Sequence, residues 1–392
     1  MKSLIVFSIV LFFSSASFAQ DKKTTQKVVI IMMDGFGEPY YRNSDMPALN
    51  KMEKQGLFKV VPSLMPSVTN LNNASICTGE LPEKHGITGN SYYNVNTSTE
   101  EFMEDSALLL TPTLFQKAKR YGIKSALFSS KKKTTGLLSK GADLVLSPET
   151  ASEDWINKIG VPPSIYSREV NYWLMEAALY TMKQDTSISL FYIHTTDYPM
   201  HTWAPEENES KEHLHKIDEY IKRISETIPD AMILITADHN VNHKDLCIDI
   251  EKLCANHQTP VKIAISAERD KYVKHHRGFG GTSYVYLNNK TDLTAIKKLL
   301  EATKGIEQVF TREEAAQRFH LMPERIGDLV VLGNSHTVFG NLDAETEKLP
   351  ANYRTHGSVY EAKVPLFIYN VKGGPAASYF SYNYKIAAWL YR

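Results

Sequence analysis

The chain has 392 residues, with 44 Lys and Arg against 44 Asp and Glu. Its 43% hydrophobic and 22% charged content excludes disordered, collagen-like and coiled-coil chains. A formal net charge of zero argues against a nucleic-acid-polymer binder, which needs a basic excess. The length fits one large α/β domain, or such a domain with an inserted cap.

The N-terminus begins with the basic pair Met1-Lys2 and the apolar run Leu4 to Phe13, followed by small residues at Ser17 and Ala19. That pattern predicts a signal peptide over residues 1–19, cut after Ala19, and export to the periplasm or medium. A retained anchor is the competing reading, but the run falls short of the ~20 apolar residues a bilayer span needs. Cleavage removes one Lys and no acid, so the absence of a basic excess survives. Three Cys, at 77, 247 and 254, are too few for a disulfide scaffold. Pairing of Cys247 with Cys254 and three free thiols both stay open.

Residues 20–26 form a polar linker. Val28 to Met33 is a continuous apolar run ending at Asp34-Gly35, as a buried parallel strand reads. A helix is predicted over 45–55 and a short strand at Val60-Val61. A second helix starts at Thr69 and ends near Gly79. Helix 111–121, strand Ser125 to Phe128 and the amphipathic helix 168–184 follow. Ile188 to His194 is a strand ending three residues before Asp197. A charged helix occupies 209–227, and Ala231 to Thr236 is a buried strand just before Asp238-His239. Val364 to Tyr369 is a strand and 377–391 a helix. Alternating strands and helices define an α/β class with a mostly parallel central sheet flanked by helices. The predicted core is 20–244 plus 353–392, with 245–352 inserted as a cap.

Acids and His recur beside predicted strand ends: Asp34, Asp197-x-x-x-His201, Asp238-His239, and His356 within Arg354-Thr355-His356-Gly357. Ligands bind outside the carboxyl ends of strands in open α/β sheets. Asp and His are the ligands zinc takes where Cys is absent. Each motif alone suits a surface pair, yet together their carboxylates would repel one another without a cation. Thr69 lies where a helix begins. Its plain role is an N-cap; its sharper role is a nucleophile, activated by bound metal beside a helix N-terminus that favours anions.

These residues carry a resemblance. Asp34, Thr69, Asp197, His201, Asp238, His239 and His356 resemble the two-zinc site of the alkaline phosphatase superfamily, in its type I phosphodiesterase/nucleotide pyrophosphatase branch. The resemblance implies that Asp34, Thr69, Asp238 and His239 surround one Zn2+, and that Asp197, His201 and His356 hold the other. Asn90, in His85-Gly86-Ile87-Thr88-Gly89-Asn90, matches the Asn that hydrogen-bonds a phosphoryl oxygen. Pro66–Ala74, Pro163–Ser167, Thr195–Tyr198, Ile326–Gly333 and Glu361–Leu366 are most similar to the phosphonoacetate hydrolase family. That similarity implies cleavage of a C–P bond, with Lys131, Lys133 and Lys244 on the substrate carboxylate. Read alone, Lys131-Lys132-Lys133 is a solvated charge run. His239-Asn240-Val241 and Thr134-Thr135 depart from that family's usual residues.

Two other functions fit the same ligands. A phosphodiesterase or nucleotide pyrophosphatase would need aromatic contacts, for which Tyr92, Tyr93, Tyr198 and Trp203 are candidates. A zinc-binding protein without catalysis would lack a ligand or the nucleophile, and none is missing. The lack of a Cys/Ser-x-Pro-x-Arg element at the nucleophile position argues against sulfatase chemistry. The expected partner is a small anionic phosphonate or phosphate ester; a homodimer stays open, and no stable membrane anchor is expected.

Overall fold

The computed structural model of the chain describes residues 26–391, apart from 273, 275 and 276. The expected signal segment lies outside the described residues. Among those described, no helix is long and apolar enough to cross a membrane.

The central sheet has seven strands. In spatial order they are Leu57–Pro62, Lys363–Tyr369, Met232–Thr236, Val28–Met32, Ile188–His194, Lys124–Ser129 and Leu144–Leu146. Val28–Met32 sits in the middle, parallel to both neighbours, with Met32 opposite His194 on one side and Thr236 on the other. Its five residues are all buried, which explains the unbroken apolar run: both faces are covered, so no alternation is needed. Lys363–Tyr369 runs antiparallel to both its neighbours, an orientation that an apolar run does not reveal.

Helices flank this sheet. Asn208–Thr227 turns inward Ser210, His213, Leu214, Ile217, Asp218, Tyr220, Ile221 and Ile224, an i, i+3, i+4, i+7 stripe on an otherwise charged helix. It packs against Glu169–Gln184 and Pro47–Gln55. Asp218 accepts hydrogen bonds from the Ala48 and Leu49 amides at 2.7 and 2.9 Å. It thereby caps a helix whose own Met46 supplies no side-chain cap.

Residues 263–333 contribute a second, four-stranded sheet in the order Ile263–Ser266, Thr282–Tyr286, Leu329–Gly333, Ile306–Thr311. A smaller sheet places Leu246–Ile248 between Thr337–Phe339 and Thr346–Lys348. Ile265, Tyr284 and Ile326 from this region form one apolar cluster with Val68 and Leu71. That cluster ties the second sheet to the beginning of the Thr69–Thr78 helix.

One expectation meets a different structure. Over 377–391 the chain makes 3-10 turns, Ala377–Tyr379 and Asn383–Ile386, rather than a helix. The segment is rich in Tyr, Ser and Asn, which favour helices weakly. Asn383 is buried and donates to Asn72 Oδ1 (3.2 Å) and the Ala237 carbonyl (3.0 Å), a tertiary tie that fixes a turn instead. Cys77, Cys247 and Cys254 are all free and buried. Cys247 lies in the Leu246–Ile248 strand and Cys254 in the Ile250–Asn256 helix.

Candidate active site

The acids and His converge at one edge of the central sheet. Asp34 follows Val28–Met32, Asp197 and His201 follow Ile188–His194, and Asp238-His239 follow Met232–Thr236. His356 arrives in the segment leading into Lys363–Tyr369, whose antiparallel direction brings its beginning to the same edge. All six side chains are buried. The turn after Asp34 is tight: Gly35 has φ +74°, and a Cβ there would approach the Asp197 Cβ to 3.0 Å. Gly35 thus lets two like-charged loops close on each other, and its amide donates to Asp238 Oδ1 at 3.1 Å.

Three groupings bring candidate ligand atoms within 4.8 Å of one another: Asp197, His201 and His356; Asp34, His194 and Asp238; and Asp34, Asp197 and His239. The His rings share one orientation. His201, His239 and His356 direct Nδ1 at the carbonyls of Arg354 (2.7 Å), Asn240 (3.0 Å) and Ser67 (2.8 Å). A carbonyl only accepts, so each Nδ1 donates to it and each Nε2 faces the cluster. Metal-binding His residues are held in this way. Asp34 Oδ1 and Asp238 Oδ2 are buried without a hydrogen-bond partner. Such orphaned carboxylate oxygens are costly unless a cation meets them. The donor set therefore fits divalent metal.

Electrostatics match that reading. Burial, then the Asp34 charge, pushes Asp238 well above the usual carboxylate range. Burial and Asp197 push Asp34 up too, but Lys131 and a hydrogen bond to His194 outweigh them and hold it low. Burial, followed by His356, drops His239 to about 3, so its ring stays neutral as a ligand must be.

Thr69 is the first residue of the Thr69–Thr78 helix, not its N-cap; that position is Val68. The hydroxyl does no capping. It lies 3.4 Å from His239 Nε2, inside the cluster. Asn90 accepts from the Asn70 amide through Oδ1 at 3.1 Å, which aims Nδ2 away from the helix.

The three lysines are all buried and all paired within the protein. Lys131 bridges Asp34 Oδ2 (3.1 Å) and Asp197 Oδ1 (2.7 Å). Burial alone would lower its pKa, but Asp197, Asp34 and Asp270 together raise it well above the ordinary value. Lys133 pairs with Asp270. Lys244 bonds Glu361 Oε1 (2.7 Å) and the Ser335 carbonyl (3.0 Å). None belongs to a solvated charge run. Lys133 is part of the Lys132–Leu138 helix, which packs against Thr69–Thr78.

Several groups at this edge have no sequence motif. His194 closes its own strand, with Nδ1 2.8 Å from Ser129 Oγ and Nε2 3.3 Å from Asp34 Oδ2. Its position three residues before Asp197 was a usable signal. Glu268, from the second sheet's first turn, places Oε2 3.1 Å from Asn90 Nδ2 and Oε1 3.2 Å from His356 Nε2. Nothing nearby in sequence marks Glu268 or Asp270.

A mostly parallel sheet with buried Asp and His groups beside a helix-start Thr defines a candidate metal-dependent hydrolase. Comparison makes the class specific: the chain belongs to the type I phosphodiesterase / nucleotide pyrophosphatase family, whose profile matches residues 28–359. It is similar over 93% of its length to phosphonoacetate hydrolase from Sinorhizobium meliloti 1021 in complex with phosphonoacetate, at 29% identity and a TM-score of 0.84, with 95% of that chain covered. Bis(5'-adenosyl)-triphosphatase ENPP4 of Bos taurus is 26% identical over 239 residues, 57% of this chain and 50% of that protein. The chain spans about half the length of the curated relatives it matches in this group. Human ectonucleotide pyrophosphatase / phosphodiesterase 5 shares the fold, with 14% identity, a TM-score of 0.66 and 88% of each chain covered.

Proposed function

We propose that this protein hydrolyses a bond at phosphorus with Thr69 as nucleophile, and that its substrate is phosphonoacetate, cleaved at the C–P bond to acetate and phosphate. The carrying observation is the set of His Nε2 atoms and buried carboxylates gathered around the Thr69 hydroxyl. The near full-length similarity to a phosphonoacetate hydrolase supports the substrate.

Asp197, His201 and His356 would hold one Zn2+, and Asp34, Asp238 and His239 a second beside Thr69. Bound there, the metals supply Lewis acidity at the phosphoryl oxygens and favour the Thr69 alkoxide. Thr69 Oγ1 attacks phosphorus, and the electron pair of the breaking P–C bond passes to carbon. The adjacent carboxylate spreads that charge as an enolate, which then takes a proton to give acetate. Asn90 Nδ2 donates to a phosphoryl oxygen as negative charge develops. The start of the Thr69–Thr78 helix adds positive potential at the same place. Water then hydrolyses the phosphothreonine and restores Thr69.

Lys133 is the first candidate for the substrate carboxylate. It lies on the helix packed against Thr69–Thr78, and its partner Asp270 is itself a carboxylate that a substrate carboxylate can replace. Lys131 acts at the ligand carboxylates, and Lys244 in its closed pair with Glu361 suits a structural role. Residues 245–352 serve as the cap over the site, and the residues 1–19 pattern supports export.

A phosphodiester or nucleotide substrate is the second reading, favoured by the family and by the pairing of all three lysines. Specificity constants of the zinc-loaded protein for phosphonoacetate and a nitrophenyl nucleotide ester separate the two. Preference for phosphonoacetate is expected; turnover of the nucleotide ester alone would move the assignment to the second reading.

A further inference from the structure

The carboxylate of Glu268 has no part in the chemistry above, yet it reaches Asn90, assigned to a phosphoryl oxygen, and His356, assigned to a metal. Its Oε2 and its main-chain carbonyl both accept from Asn90 Nδ2, at 3.1 and 3.2 Å. Its Oε1 lies 3.2 Å from His356 Nε2, and the side chain is 2% exposed. The position is built in. Gly280 crosses so closely that a Cβ there would come 2.5 Å from the Glu268 Cβ. Asn90 cannot turn away without loss, because its Oδ1 accepts from the Asn70 amide at 3.1 Å.

We propose that Glu268 is a specificity-determining residue that selects phosphoryl groups carrying a single negative charge. The inference rests on the phosphoryl-transfer reading of the site. An oxygen that reaches Asn90 must share its amide with a fixed carboxylate. A dianionic phosphoryl group meets more repulsion there than a monoanionic one, and the low-dielectric surroundings screen it poorly. A phosphodiester carries one charge. A phosphonate that keeps one P–OH also carries one, and that hydroxyl can donate to Glu268. The same charge disfavours retention of product phosphate, a dianion at mildly alkaline pH. The substrate class is therefore a monoanionic phosphoryl compound, whether diester or singly protonated phosphonate.

The test is titration calorimetry of the metal-loaded full chain and Glu268→Gln with two probes, inorganic phosphate and diethyl phosphate, at mildly alkaline pH. Gln keeps the shape and removes the charge. Glu268→Ala is the second variant, for the case in which the Gln amide disturbs Asn90. Phosphate is expected to bind about tenfold more tightly to the variants, which corresponds to roughly 1.4 kcal/mol, with diethyl phosphate nearly unchanged. Equal shifts for both probes overturn the proposal and leave a structural role. Loss of bound metal in both variants overturns it in favour of a ligand role. If wild type and variants all fail to bind phosphate, the phosphoryl reading itself fails, and the proposal with it.

Discussion

The two sheets bring different things to one pocket. The central sheet brings Asp34, Asp197, Asp238 and His239, each at the carboxyl end of a buried parallel strand. The second sheet brings Glu268 and Asp270, carboxylates from a turn between antiparallel strands. The first set has His partners whose Nδ1 atoms are tied to backbone carbonyls, an arrangement suited to holding cations. The second set contacts the groups assigned to the substrate, Asn90 and Lys133. Under the proposed roles, the contrast is between a reaction centre on the central sheet and a selectivity layer on the second sheet, as expected where loops vary on a rigid scaffold.

Substitutions can break that division. The largest effect is expected from Thr69→Ala: turnover falls by at least about a thousandfold, as for loss of a nucleophile, while bound zinc measured by elemental analysis is unchanged. Retained turnover would remove Thr69 from the chemistry. Next comes Asp238→Asn, which takes away an orphaned, buried carboxylate oxygen. Metal affinity is expected to drop on the order of 100-fold, read by competition with a chromophoric chelator. Unchanged affinity would place Asp238 outside the metal site. Lys133→Ala sharpens the second half of the comparison. KM for phosphonoacetate is expected to rise about tenfold with a smaller change for an aryl phosphodiester; equal changes would deny Lys133 a carboxylate role.

The smallest effect concerns stability. His85 is buried; it accepts from the Ile87 amide at Nδ1 (3.1 Å) and meets Ser75 Oγ at 2.7 Å through Nε2. Burial, then Arg325, lowers its pKa to about 3, from 6.5. The folded state therefore resists its protonation. The contribution is fully present above the unfolded value and is lost as pH falls from 6.5 towards about 3. The slope is about 1.4 kcal/mol per pH unit. Thermal melts of His85→Gln should show a lower Tm near neutral pH and a shallower loss of Tm on acidification. An acid slope equal to wild type would mean that His85 contributes none of it.

Much of the core was legible because a strand buried on both faces reads as an apolar run, and Ile188–His194 has the predicted limits. The direction of Lys363–Tyr369 was not, since strand polarity depends on the path between strands. The Asp and His gathered at this edge were legible for the same reason as the strands: each lies close to one, after it for Asp34, Asp197 and Asp238 and before it for His356. Thr69 was found as a helix-start residue, but its capping role fails because Val68 takes that position. Lys131 and Lys133 read alone as solvent-facing, whereas the packing of the Lys132–Leu138 helix buries them against Asp197, Asp34 and Asp270. Glu268 and Asp270 could not be read at all. Their roles come from a turn that meets Asn90 and Lys133 far away in the chain, and no local period or motif encodes such a contact.

Metal content tests the central claim most directly. Elemental analysis of the dialysed full chain, before and after His356→Ala, should find about two divalent ions per chain and a clear loss in the variant. An active wild-type preparation with no bound divalent ion would contradict the account.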